Sequence, residues 1–208
     1  MKLKKYIAGA LLLFGAGTMA VSVSSCGGES SATTTGNDYS AEQVAEALYT
    51  VLFADRKVYA TKIVTRLANE EQVIKAHEEW QENKALLLPA QMFREGAETV
   101  DGMDKPFGFS YSLQSLWPLN LENAEKRTPK VMEGLNAVSD ENSEFYGKKW
   151  VGEEEIAGQN YFVGVYPDKA VAPACWTCHN NHDNRLPEYP EFKKGDVMGG
   201  IVIRIPKS

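Results

Sequence analysis

Cysteine and histidine are scarce in this chain: each occurs three times in 208 residues. So few cysteines exclude a scaffold built on disulfides. Basic residues are also in deficit, 22 against 28 acids. That balance disfavours nucleic acid and anionic lipid headgroups as partners. No internal repeat is present, so solenoid and propeller architectures are set aside.

Two of the three cysteines stand together, in Cys175-Trp176-Thr177-Cys178-His179. This is C-x-x-C-H, the attachment sequence of a c-type haem. The spacing follows from the chemistry. Two thiols add as thioethers to the two vinyl groups of one haem, and the next residue is held where its imidazole binds iron from one face. The motif occurs once, so one covalent haem c is expected, with Cys175 and Cys178 as attachment points and His179 as proximal ligand. Three rival readings stand beside it. A redox-active dithiol uses C-x-x-C, but within a strand-then-helix context. Here Pro167, Pro173, Pro187 and Pro190 surround the motif and predict a loop. A zinc site could draw on Cys175, Cys178, His179 and His182, although ligation by the adjacent pair Cys178 and His179 would be strained. A Cys175–Cys178 disulfide would close a short ring, a kind more often redox-active than stabilising.

The N-terminus sets the compartment. Lys2, Lys4 and Lys5 precede an apolar stretch from Tyr6 to Val23, the layout of a secretory signal. It ends in Val23-Ser24-Ser25-Cys26, which resembles the bacterial lipoprotein box. The resemblance implies removal of residues 1–25 and lipid attachment at Cys26. A plain membrane anchor is the alternative, since the stretch approaches the ~20-residue span length. Either reading exports the domain, as c-type attachment in bacteria requires. Gly27 to Tyr39 is rich in Gly, Ser and Thr without apolar period, so residues 26–39 read as a flexible tether. Loss of Lys2, Lys4 and Lys5 leaves 19 bases against 28 acids, a formal charge of −9, which suits a basic redox partner.

Residues 40–208 are expected to form one domain. Ser40-Ala41-Glu42-Gln43 is a capping-box pattern. Val44, Leu48, Val51, Leu52, Val58 and Leu67 continue it and predict a helix over 41–67. Asn69 predicts the start of a second helix, over 70–82, and Pro89 that of a third, over 90–100. Phe107, Phe109, Tyr111 and Leu113 alternate with Gly108, Ser110, Ser112 and Gln114, the mark of a half-buried strand. Thr128-Pro129 opens a short helix to about residue 138. Strands are expected over 145–151, 160–165 and 201–205, with the haem loop before the last. Helices first and strands later predict an α+β fold with an antiparallel sheet.

The second face of the iron has several candidates. Met92 is the first choice, since methionine is a common partner ligand that raises the potential. His77 is the alternative. His182 would require its loop to wrap around the haem edge. Met103, Met132, Met198, Lys57, Tyr59 and an open sixth position complete the set. Lys57, Arg94 and Arg204 stand in apolar patterns, where one could pair with a haem propionate.

Five stretches carry a family resemblance: Ala54-Asp55-Arg56-Lys57-Val58-Tyr59, Leu88-Pro89-Ala90-Gln91-Met92-Phe93-Arg94, Ser115-Leu116-Trp117-Pro118, Ala172-Pro173-Ala174-Cys175 through His179, and Gly195-Asp196-Val197-Met198-Gly199-Gly200. In this order they resemble a bacterial family of exported single-haem c proteins with a PAS-like fold. The resemblance covers most of residues 40–206. It implies a PAS-like antiparallel sheet with long N-terminal helices and one covalent haem, used alone or as a sensory part. Only Cys175, Cys178 and His179 carry over with a clear role. The expected function is therefore electron transfer or redox sensing by a lipid-anchored, periplasmic mono-haem protein. A gas-sensing domain with an open distal site is the alternative. A peroxidase would need a distal acid–base group. No signalling output segment is expected after Ser208, an expectation that favours the carrier. The expected partners are a redox protein, the membrane through the lipid, and a second copy of the chain.

Overall fold

The computed structural model describes residues 39–207. The expected leader (1–25), the lipid-bearing Cys26 and the tether up to residue 38 lie outside the described residues.

The capping box forms as expected. Gln43 N donates to Ser40 Oγ at 3.2 Å, and Ser40 N donates to Gln43 Oε1 at 2.9 Å. Two backbone donors at the helix start are thereby satisfied. Helix α1 spans Ala41–Val58 and runs on without a break as a π-helix, Tyr59–Glu70. The expected helix over 70–82 is absent. Gln72 adopts φ 54° just past the π-helix, and Lys84 adopts φ 48°. Between them the chain runs in turns, with one parallel bridge between Ala76 and Leu86. Left-handed residues end a helix, and Val73, left exposed, gains no burial that would offset them. Asn69 falls inside the π-helix rather than capping a new one.

Helix α2 spans Pro89–Asp101, with proline in its first turn. Strand β1, Ser110–Gln114, starts later than the alternation predicts, because Phe107 and Gly108 turn at φ 65° and 57°. A short helix, α3 (Leu121–Glu125), and α4 (Pro129–Ser139) follow. Thr128 Oγ1 accepts from Val131 N at 3.2 Å and caps α4. Strand β2 is Trp150–Ile156, β3 is Gln159–Lys169, and β4 is Val197–Pro206. Residues 145–149 lie outside the strand expected there, and the two later strands outrun their expected bounds.

Within the sheet all strand pairings are antiparallel, in the order β1-β4-β3-β2. The fold is therefore α+β with a four-stranded antiparallel sheet. Ile201, Ile203 and Ile205 of β4 pack with Ala45 of α1 and Phe93 of α2 on one face. Val202 of β4, with Val163 and Val165 of β3, packs with Val131, Leu135 and Val138 of α4 on the other. A sheet covered on both faces explains why β4 reads as a continuous apolar run. A Cβ on Gly134 would meet Trp150 and Val165 side-chain atoms at 2.6 Å, so α4 approaches the sheet only because this residue lacks one. A third cluster joins Ala60, Ala170, Ala172, Cys175, Phe192 and Met198 at one end of the sheet. Through Cys175 and Met198 this cluster reaches the wall of the site described below.

Candidate functional site

The C-x-x-C-H motif lies on a helix, not on a loop. Helix α5 spans Pro173–Asn181, with proline in the first turn. Proline there costs no hydrogen bond and presets φ, so Pro173 starts the helix rather than preventing it. Along α5, Cys175, Cys178 and His179 stand at i, i+3 and i+4, the spacing that stacks side chains on one helical face. His182, one turn on, continues the line just past the helix end. All four border one cavity of about 700 Å³. Its size lies within the ~300–1,000 Å³ range of cofactor pockets.

Helix α2 provides the facing wall. Ala90, Arg94, Ala97, Glu98 and Asp101 share one side of that helix and line the cavity. Met92 stands two residues from both Ala90 and Arg94, about 200° around the helix, and is not among the lining residues. His77 is exposed on the turn segment, where its Nδ1 accepts from Glu79 N at 3.1 Å; it too is absent from the cavity wall. The cavity instead contains His182 and Met198. Both ring nitrogens of His182 are engaged: Nε2 lies 2.9 Å from Glu78 Oε1, and Nδ1 accepts from Asn184 N at 3.0 Å. Met198 is buried beside Cys175 and Trp117, and its backbone carbonyl accepts from Ser115 Oγ at 2.6 Å.

The segment after α5 is tied to the cavity-lining Pro118 and Leu119. Asn184 Nδ2 donates to Leu119 O at 3.1 Å, and Tyr189 Oη donates to Pro118 O at 3.3 Å. Gln91 Nε2 of α2 donates to Glu78 O at 2.7 Å, and Glu78 also meets His182. Loop, turn segment and α2 are thus tied to one another around the motif. Phe192 stacks its ring edge-on against both Trp117 and His179, at centroid distances of 5.3 and 5.5 Å.

Burial, then His182, then Arg56 lower the His179 pKa to about 4. Its imidazole is neutral at physiological pH, the form that ligates metal. Burial raises the Cys178 pKa, with Glu78 and Cys175 adding to it. A redox-active dithiol has a lowered thiol pKa, so this direction counts against the dithiol reading even though a strand precedes the motif and a helix carries it. Cys175 and Cys178 are not bridged. Among the described residues, no three His, Cys, Asp or Glu side chains are grouped to hold a metal ion, which gives the zinc reading no support.

A haem is flat and apolar on both faces, and it carries two carboxylates at one edge. Leu88, Pro89, Ala97, Leu113, Trp117 and Met198 give the cavity apolar walls, and Arg94 and Lys126 bring cations to it. Arg94 has only a loose 3.8 Å contact with Glu98. The residues present fit the group: two thiols, a neutral imidazole, apolar walls and cations available to carboxylates. Of the other basic residues considered from sequence, Lys57 is exposed, and Arg204 donates to Glu154 Oε1 at 2.6 Å away from this cavity.

Sequence reading missed the Arg56–Asp168 ion pair in the cavity wall. Arg56 lies on the buried stripe of α1, seven residues after Tyr49 and four after Leu52. A base at that spacing in an apolar stripe was a signal of a buried cation. Nothing local marks Asp168 as its partner, because they meet only in the fold.

No curated protein and no solved structure matches the chain. The Tll0287-like family model matches residues 37–206. That span takes in every described element of the fold and all of the cavity's residues, and on this ground the chain belongs to the Tll0287-like family.

Proposed function

We propose that the chain binds one haem c, through thioethers to Cys175 and Cys178, with His179 as an iron ligand, and that it carries or registers single electrons outside the cytoplasm. The carrying observation is that one helical face directs both thiols and a neutral imidazole into one apolar-walled cavity. When bound, the haem supplies one-electron iron redox chemistry. The protein's part is to attach it, to shield it from water with Leu88, Leu113 and Trp117, and to meet its carboxylates with Arg94 and Lys126. The pairing of the first strand with the last, and of the last with the one before it, supports a PAS-like reading of the sheet.

The sequence supports lipid attachment at Cys26 and a periplasmic location. Among the described residues no helix is long and apolar enough to cross a membrane. The acidic charge suits a basic redox protein as partner.

The test is expression with a c-type maturation system, followed by denaturation and acid–acetone extraction. One haem per chain should stay with the protein, and the double variant Cys175→Ala, Cys178→Ala should lose it. Covalent haem retained by that variant would overturn the proposal. Lipid labelling should likewise vanish in Cys26→Ala.

A second reading, a gas- or ligand-sensing haem domain with an open sixth position, is favoured by one observation: Met92 and His77 do not line the cavity. Rapid stoichiometric binding of carbon monoxide by the reduced wild type would select it over the carrier.

A further inference from the structure

Two charged side chains meet in the buried wall of the cavity. Arg56, near the end of α1, donates from Nη2 to Asp168 Oδ2 at 2.8 Å, near the end of β3. The side chains are only 7% and 5% exposed, and both residues line the cavity that holds Cys175, Cys178 and His179. The contact is end-on: Arg56 Nε and Asp168 Oδ1 have no hydrogen-bond partner. A pair placed for stability would use the bidentate fork that arginine offers a carboxylate. A buried pair with two unmet polar atoms is a poor clamp, because desolvation offsets much of its attraction.

Its position gives it another effect. Charges held away from water act on a neighbouring charge with little screening. The other charged groups of the cavity are wetter: Arg94 is 35% and Glu78 58% exposed, and Lys126 is exposed. A buried positive charge in the wall of this cavity opposes the extra positive charge of oxidised iron bound at His179, and a buried negative charge favours it.

We infer that the Arg56–Asp168 pair sets the reduction potential of the haem, Arg56 favouring the reduced iron and Asp168 the oxidised iron. The inference rests on the proposed haem attachment. The step it governs is the transfer of one electron between the iron and a redox partner protein, with no bond made or broken. Asp168 and Arg56 are positioned beside the reacting group and act through their fields.

The experiment is a spectroelectrochemical titration of the haem-loaded protein at fixed pH and salt. Asp168→Asn should raise the reduced-to-oxidised ratio at a given applied potential about tenfold, a shift of about 59 mV for a one-electron couple. Arg56→Gln should shift it about as far the other way. The double variant Arg56→Gln, Asp168→Asn should return near the wild type, and Arg56→Lys should stay near it. Opposite signs that cancel in the double variant are not what a merely structural role would give. Should a single variant fail to fold, Arg56→Lys, Asp168→Asn against Arg56→Gln, Asp168→Asn reads the same buried charge, with the lysine form at the higher potential. Haem-loaded variants with unshifted potentials, or single variants shifted in the same direction, would overturn the inference. A wild type without covalent haem would overturn the proposed function itself.

Discussion

Asn180 and Phe192 exchange two hydrogen bonds: Asn180 Nδ2 donates to Phe192 O at 2.8 Å, and Phe192 N donates to Asn180 Oδ1 at 2.9 Å. One side-chain amide thus imitates a strand partner and fixes the segment after α5 against the helix. The consequence reaches the next residue. His179 rests its ring against the Phe192 ring at 5.5 Å, so the bond pair that holds Phe192 also limits how the imidazole turns.

Asn180→Ala should therefore cost about 1–3 kcal/mol, because it leaves a part-buried backbone donor and acceptor unmet. Urea unfolding of the variant and the wild type measures it as a lower midpoint at unchanged slope. An unmoved midpoint would show that water replaces the amide without loss.

Ligand assignment at the proposed haem iron can be tested by spectrum. Met92 projects from the side of α2 opposite the cavity-lining Ala90 and Arg94, and His77 is exposed on a turn. Met92→Ala and His77→Ala should leave the visible spectra of oxidised and reduced haem-loaded protein unchanged. Met198 is the cavity donor with no competing bond to its side chain, whereas both His182 nitrogens are engaged. Met198→Ala should change the reduced spectrum and open the iron to carbon monoxide. A spectral change in Met92→Ala instead would require α2 to rotate on loading.

Much of this architecture was legible in sequence where the cause is local. The capping box at Ser40 marks the start of α1, and Thr128-Pro129 that of α4, because a side chain meets its own helix end. The apolar run around Ile201 marks β4, because burial on both faces leaves no polar alternation. The C-x-x-C-H spacing is visible in sequence, but its setting is not: prolines around Cys175 suggest a loop, and Pro173 in fact opens α5. The helix expected over 70–82 failed because apolar spacing does not report the left-handed turns at Gln72 and Lys84. Met92 was favoured by its neighbours in sequence, whereas only the rotation of α2 decides which side chains reach the cavity. Arg56 and Asp168 stand 112 residues apart, and no local pattern links them.

The edge of the site depends on one close backbone approach. A Cβ on Gly199 would lie 2.3 Å from the Gln114 carbonyl oxygen, and backbone cannot yield as a side chain can. Gly199→Ala should push β1 from β4 and destabilise the chain by about 3 kcal/mol, the upper range for overpacking. Gln114 and Met198 both line the cavity, so haem loading should fall with it. Thermal unfolding reports the first effect and haem staining of the denatured chain the second. Normal stability in the variant would mean that β1 pairs less tightly at this end than the geometry requires.

The unloaded chain should lose stability in mild acid through His179. Burial first, then His182 and Arg56, hold its folded pKa at about 4 against 6.5 for the unperturbed group. Between these values the unfolded chain binds a proton that the folded chain refuses, so stability falls as pH drops from about 6.5 to about 4. Above that window the contribution is fully present, and below it the loss is complete. Integrated over the window, the loss is about 3 kcal/mol. Carboxylates titrate at the lower end too, so the comparison is between wild type and His179→Gln, which lacks the ring but keeps the other groups. Denaturant midpoints of the two unloaded proteins should approach each other as pH falls from 7 to 4, with the wild type losing more. With haem attached, iron occupies the imidazole and the window should close. Parallel pH profiles for the two unloaded proteins would show that His179 is hydrated rather than buried, and would remove the reason for its neutrality in the site.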